Sequence, residues 1–426
     1  MTAAPHLRRF LLSAIVLLSA GRAGALTHTA LFPANGATNV CPDTPLKITF
    51  DAAPVAGLTG AARIYKADGT LVETVDLALN DANGTQPRTI GGTVYNAFPV
   101  LVSDVTATIV PRNGALAYNT TYYVTLDAGL FTGHAGVAGS TAWRFTTRAA
   151  APAAGTAHLI VAADGTGDFC TVQGAVDYVP AGNTTRRYIN IRNGTYAEIV
   201  RVTGRHNLAF RGQHRRRTVI RYVNNSNLNA STNTRPLFNV VANDVSFDNL
   251  TLFNATPQGG SQAEALRVNG ARCVVNNADL HSYQDTFLVN SAGDSAFFVN
   301  SLVEGSVDFI WGTGRAVFQR CEIKSLANGY VCQMRNPAGQ IGAVFLDCRF
   351  TRLPAVNNVV LARVDPNTYP ASQVSLVDCT LDAHITAAGW LLNAAGPVDA
   401  LRFEEYHSTT PAGGAVDVSG RAAFSR

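Results

Sequence analysis

From Leu26 onward, apolar and polar residues alternate in short runs broken by Gly, Asn and Asp, a pattern of short β-strands rather than long helices. Leu46–Phe50 (LKITF), residues 62–65, Thr121–Leu126 (TYYVTL) and residues 143–147 (WRFTT) place apolar side chains at alternate positions, which predicts half-buried strands. Asp68-Gly69 and Asn83-Gly84 are hairpin-type turn signals between such runs. A small β-sandwich is therefore expected over residues 26–147. Residues 148–157 (RAAAPAAGTA) read as an Ala/Pro/Gly linker, and a second domain is expected over 158–426. Near its start, residues 171–179 carry Val172, Ala175, Val176 and Val179 on one side of a short amphipathic helix. The Gly-rich turn before it (DGTGD) lacks both the dinucleotide pattern and the phosphate-loop lysine.

From about Leu208 the apolar pattern repeats. VSFDNLTL, VVNNADL, FVNSLV, VFQRCEI, VFLDCRF and SLVDCTL align so that Leu250, Ala278, Ser301, Cys321, Cys348 and Cys379 are equivalent. The spacing between them is irregular, roughly twenty to thirty positions, in β-rich units without long helices, and such a repeat predicts a parallel β-helix. The fold class is thus all-β, a parallel β-helix preceded by a β-sandwich. The cysteines fall on the repeat and are expected as stacked, buried free thiols, with a disulfide between adjacent members as the alternative.

Two segments carry the candidate chemistry, Tyr283-Gln284-Asp285-Thr286-Phe287 and Val307-Asp308-Phe309-Ile310-Trp311-Gly312. Each sets an aspartate among apolar and aromatic residues, and the two aspartates are separated by one coil of the repeat. Gln262 lies the same distance upstream again and is expected to stack below Asp285, and Arg363 lies about two coils beyond Asp308. Two carboxyls in a partly apolar site do not both ionise freely, so one donates a proton while the other acts as an anion. Spacing alone therefore gathers two carboxyls, two amides and a guanidinium on one patch.

Composition narrows the function. Hydrophobic residues at 47% and charged residues at 15% describe a globular chain with a sizeable core. Arg8 and Arg9, the apolar run 10–20 and Ala23-Gly24-Ala25 read as a secretory signal cleaved after Ala25, with an uncleaved anchor as the alternative. Without residues 1–25 the net charge falls from +4 to +1, divided as −2 over 26–147 and +3 beyond. A weak positive bias suits an acidic substrate and is far from a nucleic-acid-binding signature. The basic run RGQHRRRTVIR (211–221) reads as a solvated turn between coils, with a polyanion site as the alternative.

The second domain resembles the pectin methylesterase (pectinesterase) family. DGTGDFCTVQGAVDYVP, NGTYAEIVRV, QAEALRV at Gln262, YQDTF at Asp285, VDFIWGTGRAVFQRCEI at Asp308, LDAHITAAGW and EYHSTTPAGGAVDVSGR match the family's motifs in order over about residues 158–421. The first domain resembles the bacterial Ig-like modules appended to secreted enzymes. The resemblance implies a right-handed parallel β-helix with a cleft on its outer face. It implies hydrolysis of galacturonate methyl esters in pectin (homogalacturonan), without metal or organic cofactor. It assigns Asp308 as nucleophile, Asp285 as general acid and then base, Gln262 and Gln284 as oxyanion donors, and Arg363 as the partner of Asp308. Trp311, with Tyr283 and Phe309, is the expected sugar-binding surface. A monomer, secreted to the periplasm or outside, with no nucleic-acid or membrane partner, completes the expectation. One departure stands out. The family's Leu-Gly-Arg-Pro-Trp motif reads Leu361-Ala362-Arg363-Val364-Asp365, replacing a sugar-holding tryptophan with an acid that would repel galacturonate; Trp311 or Tyr369 would have to compensate. The alternatives are an esterase or thioesterase on another substrate, a non-catalytic pectin- or pectate-binding protein, and a β-helix glycosidase or lyase.

Overall fold

The computed structural model describes residues 25–425, so the expected signal segment lies outside the described residues. Residues 28–147 form a sandwich of two sheets. One orders His28–Phe32, Leu46–Phe50, Thr106–Ile109 and Val100–Ser103; the other orders Ala37–Val40, Arg144–Thr147, Thr121–Leu126, Ala61–Lys66 and Leu71–Asp76. The alternation seen in LKITF and TYYVTL appears as strictly alternating burial, and Ile48, Phe50, Ile64, Val124, Phe131 and Phe145 fill the space between the sheets. Asp68-Gly69 does turn between the antiparallel strands Ala61–Lys66 and Leu71–Asp76. Asn83-Gly84 does not join paired strands. It lies in a loop closed by Asp81 and Thr85, and the hairpin Gln86–Ile90/Thr93–Ala97 turns instead at Gly91-Gly92.

The second domain is the parallel β-helix that the repeat predicts. Ten strands from His158–Val161 to Arg402–Tyr406 pair in parallel, each with the next coil's equivalent. Two further parallel columns are fused where Leu302–Gly312 and Glu322–Met334 run from one face into the other. A left-handed residue marks one corner of successive coils: Asn249, Asn277, Asn300, Arg320, Asp347 and Asp378 have φ between 48° and 60°. Asn and Asp tolerate that conformation better than other non-glycine residues, which is why the corner reads N/D in the repeat. The residue after each corner points inward, and the six repeat-equivalent positions are all buried. Inside, like stacks on like: Phe298–Phe318 and Phe318–Phe345 ring centroids are 4.7 and 4.8 Å apart, one strand spacing. All seven cysteines are free and buried.

Helix Val172–Tyr178 closes the N-terminal end. Its Thr171 hydroxyl accepts from Gly174 N (3.0 Å), and the Glu198 carboxylate accepts from Val172 N and Gln173 N (2.7 and 2.9 Å). The sandwich is seated firmly on this end and flank. Tyr95, from its hairpin, is fully buried within the β-helix core cluster, and Phe98 N donates to the Tyr222 hydroxyl (2.8 Å). The 148–157 segment is also tied down, with the Tyr178 hydroxyl donating to the Pro152 and Ala153 carbonyls. In the basic run, Arg215 reaches across coils to Asp279 (2.6 Å) and to the Asn300 carbonyl (3.0 Å), while the largely exposed Arg216 lies 3.8 Å from the other Asp279 oxygen.

Candidate active site

Five successive coils build the site. Leu266 pairs with Phe287, Phe287 with Ile310, and Ile310 with Cys332, whose next partner is Ala362. Asp285 and Asp308 precede these strand positions, with Gln284 bridged to Val307 and Asp285 N donating to Val307 O (3.1 Å). The two aspartates are therefore stacked one coil apart, as the spacing predicts. Both are left-handed, with φ of 64° and 47°, and both are nearly buried, at 7% and 6% exposure. Held conformations of this kind cluster at functional sites. Gly312 fixes the close approach of these coils: a Cβ there would lie 1.9 Å from the Val289 carbonyl oxygen.

Arg363, on Val359–Val364, reaches back two coils. Its Nε donates to Asp308 Oδ1 (2.8 Å) and its Nη2 donates to Oδ2, a two-point clasp. The guanidinium also lies over the Tyr330 ring, 4.1 Å from the centroid. Asp285 is held differently. Burial, then the nearby Glu264 carboxylate, push its pKa up to about 8 against the opposing pull of Arg235. Asp285 thus keeps its proton at neutral pH, beside a carboxylate clasped by a guanidinium.

By main-chain pairing Ala263 lies below Asp285 and Gln262 below Gln284, since Ala263 N donates to Gln284 O just as Asp285 N donates to Val307 O, each at 3.1 Å. Leu266 registers with Phe287, so this coil is two positions shorter than the one that brings Phe287 to Ile310, and Gln262 is offset by one position from the expected place beneath Asp285. Glu264 is fully buried and binds Arg235 through bonds of 2.7 to 3.0 Å, while Arg235 Nη2 also donates to Asp285 Oδ2 (2.9 Å). Neither Glu264 nor Arg235 is marked by the motif spacing; Glu264 is legible only as the acid inside QAEALRV. Arg235 is aligned by a chain of amides that begins in the first domain. Asn96 N donates to Asn229 Oδ1 (2.9 Å), and Asn229 Nδ2 donates back to Asn96 O (3.0 Å) and on to Asn224 Oδ1 (2.8 Å). Asn224 Nδ2 in turn donates to the carbonyls of Thr234 and Pro236, which flank Arg235 (2.8 and 3.0 Å).

Gln262 and Gln284 are half-buried on neighbouring coils, linked by Ala263 N donating to Gln284 O (3.1 Å). Their main chains carry the stack, and among the described residues their side-chain amides make no hydrogen bond, which leaves four N–H groups for a ligand. Trp311 retains 8% exposure, its ring covered by Arg335 at 4.8 Å and flanked by Arg235 at 5.7 Å. Arg335 is also 5.6 Å from the Tyr369 ring, so Tyr369 and Trp311 bracket one cation. Tyr283 is half-buried at the site. Phe309 is not a surface residue. It has no exposed area and packs inside the helix core, so its ring is out of a sugar's reach. Asp365 is turned away from the role its position suggested: its carboxylate accepts from Asn367 N (3.0 Å) and the Thr368 hydroxyl (2.9 Å) within its own turn. His281 pairs with Glu304 (2.6 Å) and takes no part in the cluster.

Fold and site together define a β-helical hydrolase with stacked carboxyls on an outer face. The sequence over residues 158–425 matches the pectinesterase family, and residues 23–147 match the bacterial Ig-like domain family. The chain belongs to the pectinesterase family. It is 32% identical to pectinesterase 31 of Arabidopsis thaliana over 243 residues, which is 54% of this chain and 75% of that protein. Among solved structures, the pectin methylesterase from carrot superposes with a TM-score of 0.59 at 28% identity, covering 63% of this chain and 87% of the other. A pectin methylesterase in complex with a hexasaccharide superposes with a TM-score of 0.53 at 25% identity, covering 62% and 91%. Among the described residues no helix is long and apolar enough to cross a membrane.

Proposed function

We propose that this chain is a secreted pectin methylesterase that hydrolyses galacturonate methyl esters through an acyl-enzyme on Asp308. The observation that carries this reading is the pairing of a protonated Asp285 with a guanidinium-clasped Asp308 one coil away. A carboxylate held by Arg363 has a fixed direction of attack, and it would add to the ester carbonyl carbon. The carbonyl oxygen becomes an oxyanion, for which the unengaged amides of Gln262 and Gln284 are the available neutral donors. Collapse breaks the bond to methoxide, which takes the proton of Asp285 and leaves as methanol, giving an anhydride between Asp308 and the galacturonate carboxyl. Asp285, now an anion, takes a proton from water as that water attacks the anhydride. Asp308 departs as carboxylate, the product acid is released, and Asp285 is protonated again.

Trp311 and Tyr283 are assigned to the sugar, with Arg335 and Tyr369 beside them. Asp365 keeps its negative charge, but its oxygens are engaged by Asn367 and Thr368 within its own turn. Export of the chain is supported by the N-terminal charge and hydrophobic pattern. The test is product analysis with highly methylated pectin. Methanol and new acid in equal amounts, without reducing ends or unsaturated products, are expected. Reducing ends or unsaturation would mean a glycosidase or lyase. Binding without turnover would mean a lectin-like role or a different ester.

A further inference from the structure

We infer that Cys41 and Cys170 form a disulfide that locks the Ig-like module onto the N-terminal end of the β-helix. Cys41 follows strand Ala37–Val40 of the first domain, and Cys170 precedes helix Val172–Tyr178 of the second. They belong to different domains and lie far apart along the chain, yet their sulfurs and an Asp43 carboxylate oxygen all lie within 4.8 Å of one another. Both are thiols in this structure, with 0% and 2% exposure. The backbones that bear them are already pinned together: Asp43, two residues after Cys41, accepts from the Cys170 amide at 3.1 and 3.0 Å. A bridge of ordinary geometry then needs little more than side-chain rotation.

The same three side chains resemble a zinc donor set, but the carboxylate is committed. Asp43 also accepts from Thr171 N (2.8 Å) and from the Thr171 hydroxyl (2.7 Å), as the anionic cap of the helix. Two thiols facing each other, without a free third ligand, fit oxidation better than metal. Cys321, Cys348 and Cys379 also approach one another, but they stack on successive coils of one domain, where a bridge would join only neighbouring coils.

The oxidant is a low-molecular-weight or protein disulfide of the kind found outside the cytosol. One thiolate attacks that disulfide and expels one thiol, giving a mixed disulfide. The second thiolate then attacks the protein sulfur of the mixed disulfide and expels the other thiol. Two protein thiols lose two protons and two electrons, and the oxidant's sulfurs leave as two thiols. In the docked state, hydrogen bonding between the sulfurs and burial push the Cys170 thiol well up, so exchange belongs to the moment when the domains close on each other.

The test refolds the full chain from the reduced, denatured state in a glutathione redox buffer, blocks free thiols by alkylation, and maps the digest by mass spectrometry. The expected result is a Cys41–Cys170 peptide pair and five alkylated cysteines. A thermal midpoint that falls on reduction in the parent, and does not move in Cys41→Ser, is the second expected result. Seven alkylated cysteines in folded protein, a bridge from Cys170 to any other cysteine, or stoichiometric zinc bound to the reduced protein would each overturn the proposal.

Discussion

Replacing Asp285 with Asn isolates the proton that the site keeps on this carboxyl. In the folded chain Asp285 titrates at about 8, against an ordinary value of 3.8, because it is buried and faces Glu264. Between those two values the native state holds a proton that the unfolded chain has lost. Stability from this group is therefore fully present below about pH 4 and is lost as pH rises through about 8, by about 1.4 kcal/mol per pH unit. The shift of about four units sets an upper bound of about 6 kcal/mol, of which about 4 kcal/mol falls between about pH 5 and 8. Asn keeps the size of the side chain and an oxygen for Arg235 Nη2, and it has no proton to lose. Urea midpoints of parent and Asp285→Asn, at pH values of about 5, 7 and 9, give the difference directly, with titrations remote from the site cancelling. The variant should gain on the parent steadily from about pH 5 to 8 and then level off. A difference that stays flat over that range would show that Asp285 titrates like an ordinary carboxyl, and the general-acid assignment would fail with it.

Gln284→Ala should lower kcat for methanol release by roughly 10²-fold or more with a smaller change in KM, as expected for loss of an oxyanion donor; an equal rise in KM alone would make Gln284 a ground-state contact. Arg235→Leu leaves the fully buried Glu264 without its partner and should cost about 3–5 kcal/mol by denaturant unfolding at neutral pH; an unchanged midpoint would mean that the pair is relaxed by solvent. Asn229→Ala breaks the amide relay from Asn96 to the Arg235 loop and should cost about 1–3 kcal/mol. If the relay positions Arg235, the same variant also moves the alkaline limb of the activity profile, which a purely structural loss would leave in place.

Much of this architecture is legible because its periodicity has a physical basis. The corner needs a left-handed residue, so Asn or Asp recurs, and the next position faces the core, so Leu250, Ala278, Ser301 and the three cysteines line up. The Asp285–Asp308 stack follows from one regular coil, in which Gln284 bridges to Val307 and Phe287 pairs with Ile310. The step below it does not, because coil length is set by loops and the coil from Leu266 to Phe287 is shorter. The slip moves Gln262 from beneath Asp285 to beneath Gln284, while Glu264 meets Asp285 through Arg235. Phe309 was misplaced for a related reason: next to the left-handed Asp308, simple alternation no longer assigns a face. Arg235 arrives from a loop well upstream of Asp285, held by asparagines from two domains, and no sequence period connects those parts. The Asp365 carboxylate stays charged but is engaged by local turn bonds from Asn367 and Thr368, a DPNT turn that is readable in retrospect.

The central claim is that Asp308 makes the bond to the substrate. The most direct measurement is methanol release from highly methylated pectin by the parent and by Asp308→Asn, with unfolding midpoints showing that both are folded. The account predicts release by the parent and a loss of roughly 10⁴-fold or more in the variant, the scale expected when a nucleophile is removed. Full activity in a folded Asp308→Asn protein would contradict it.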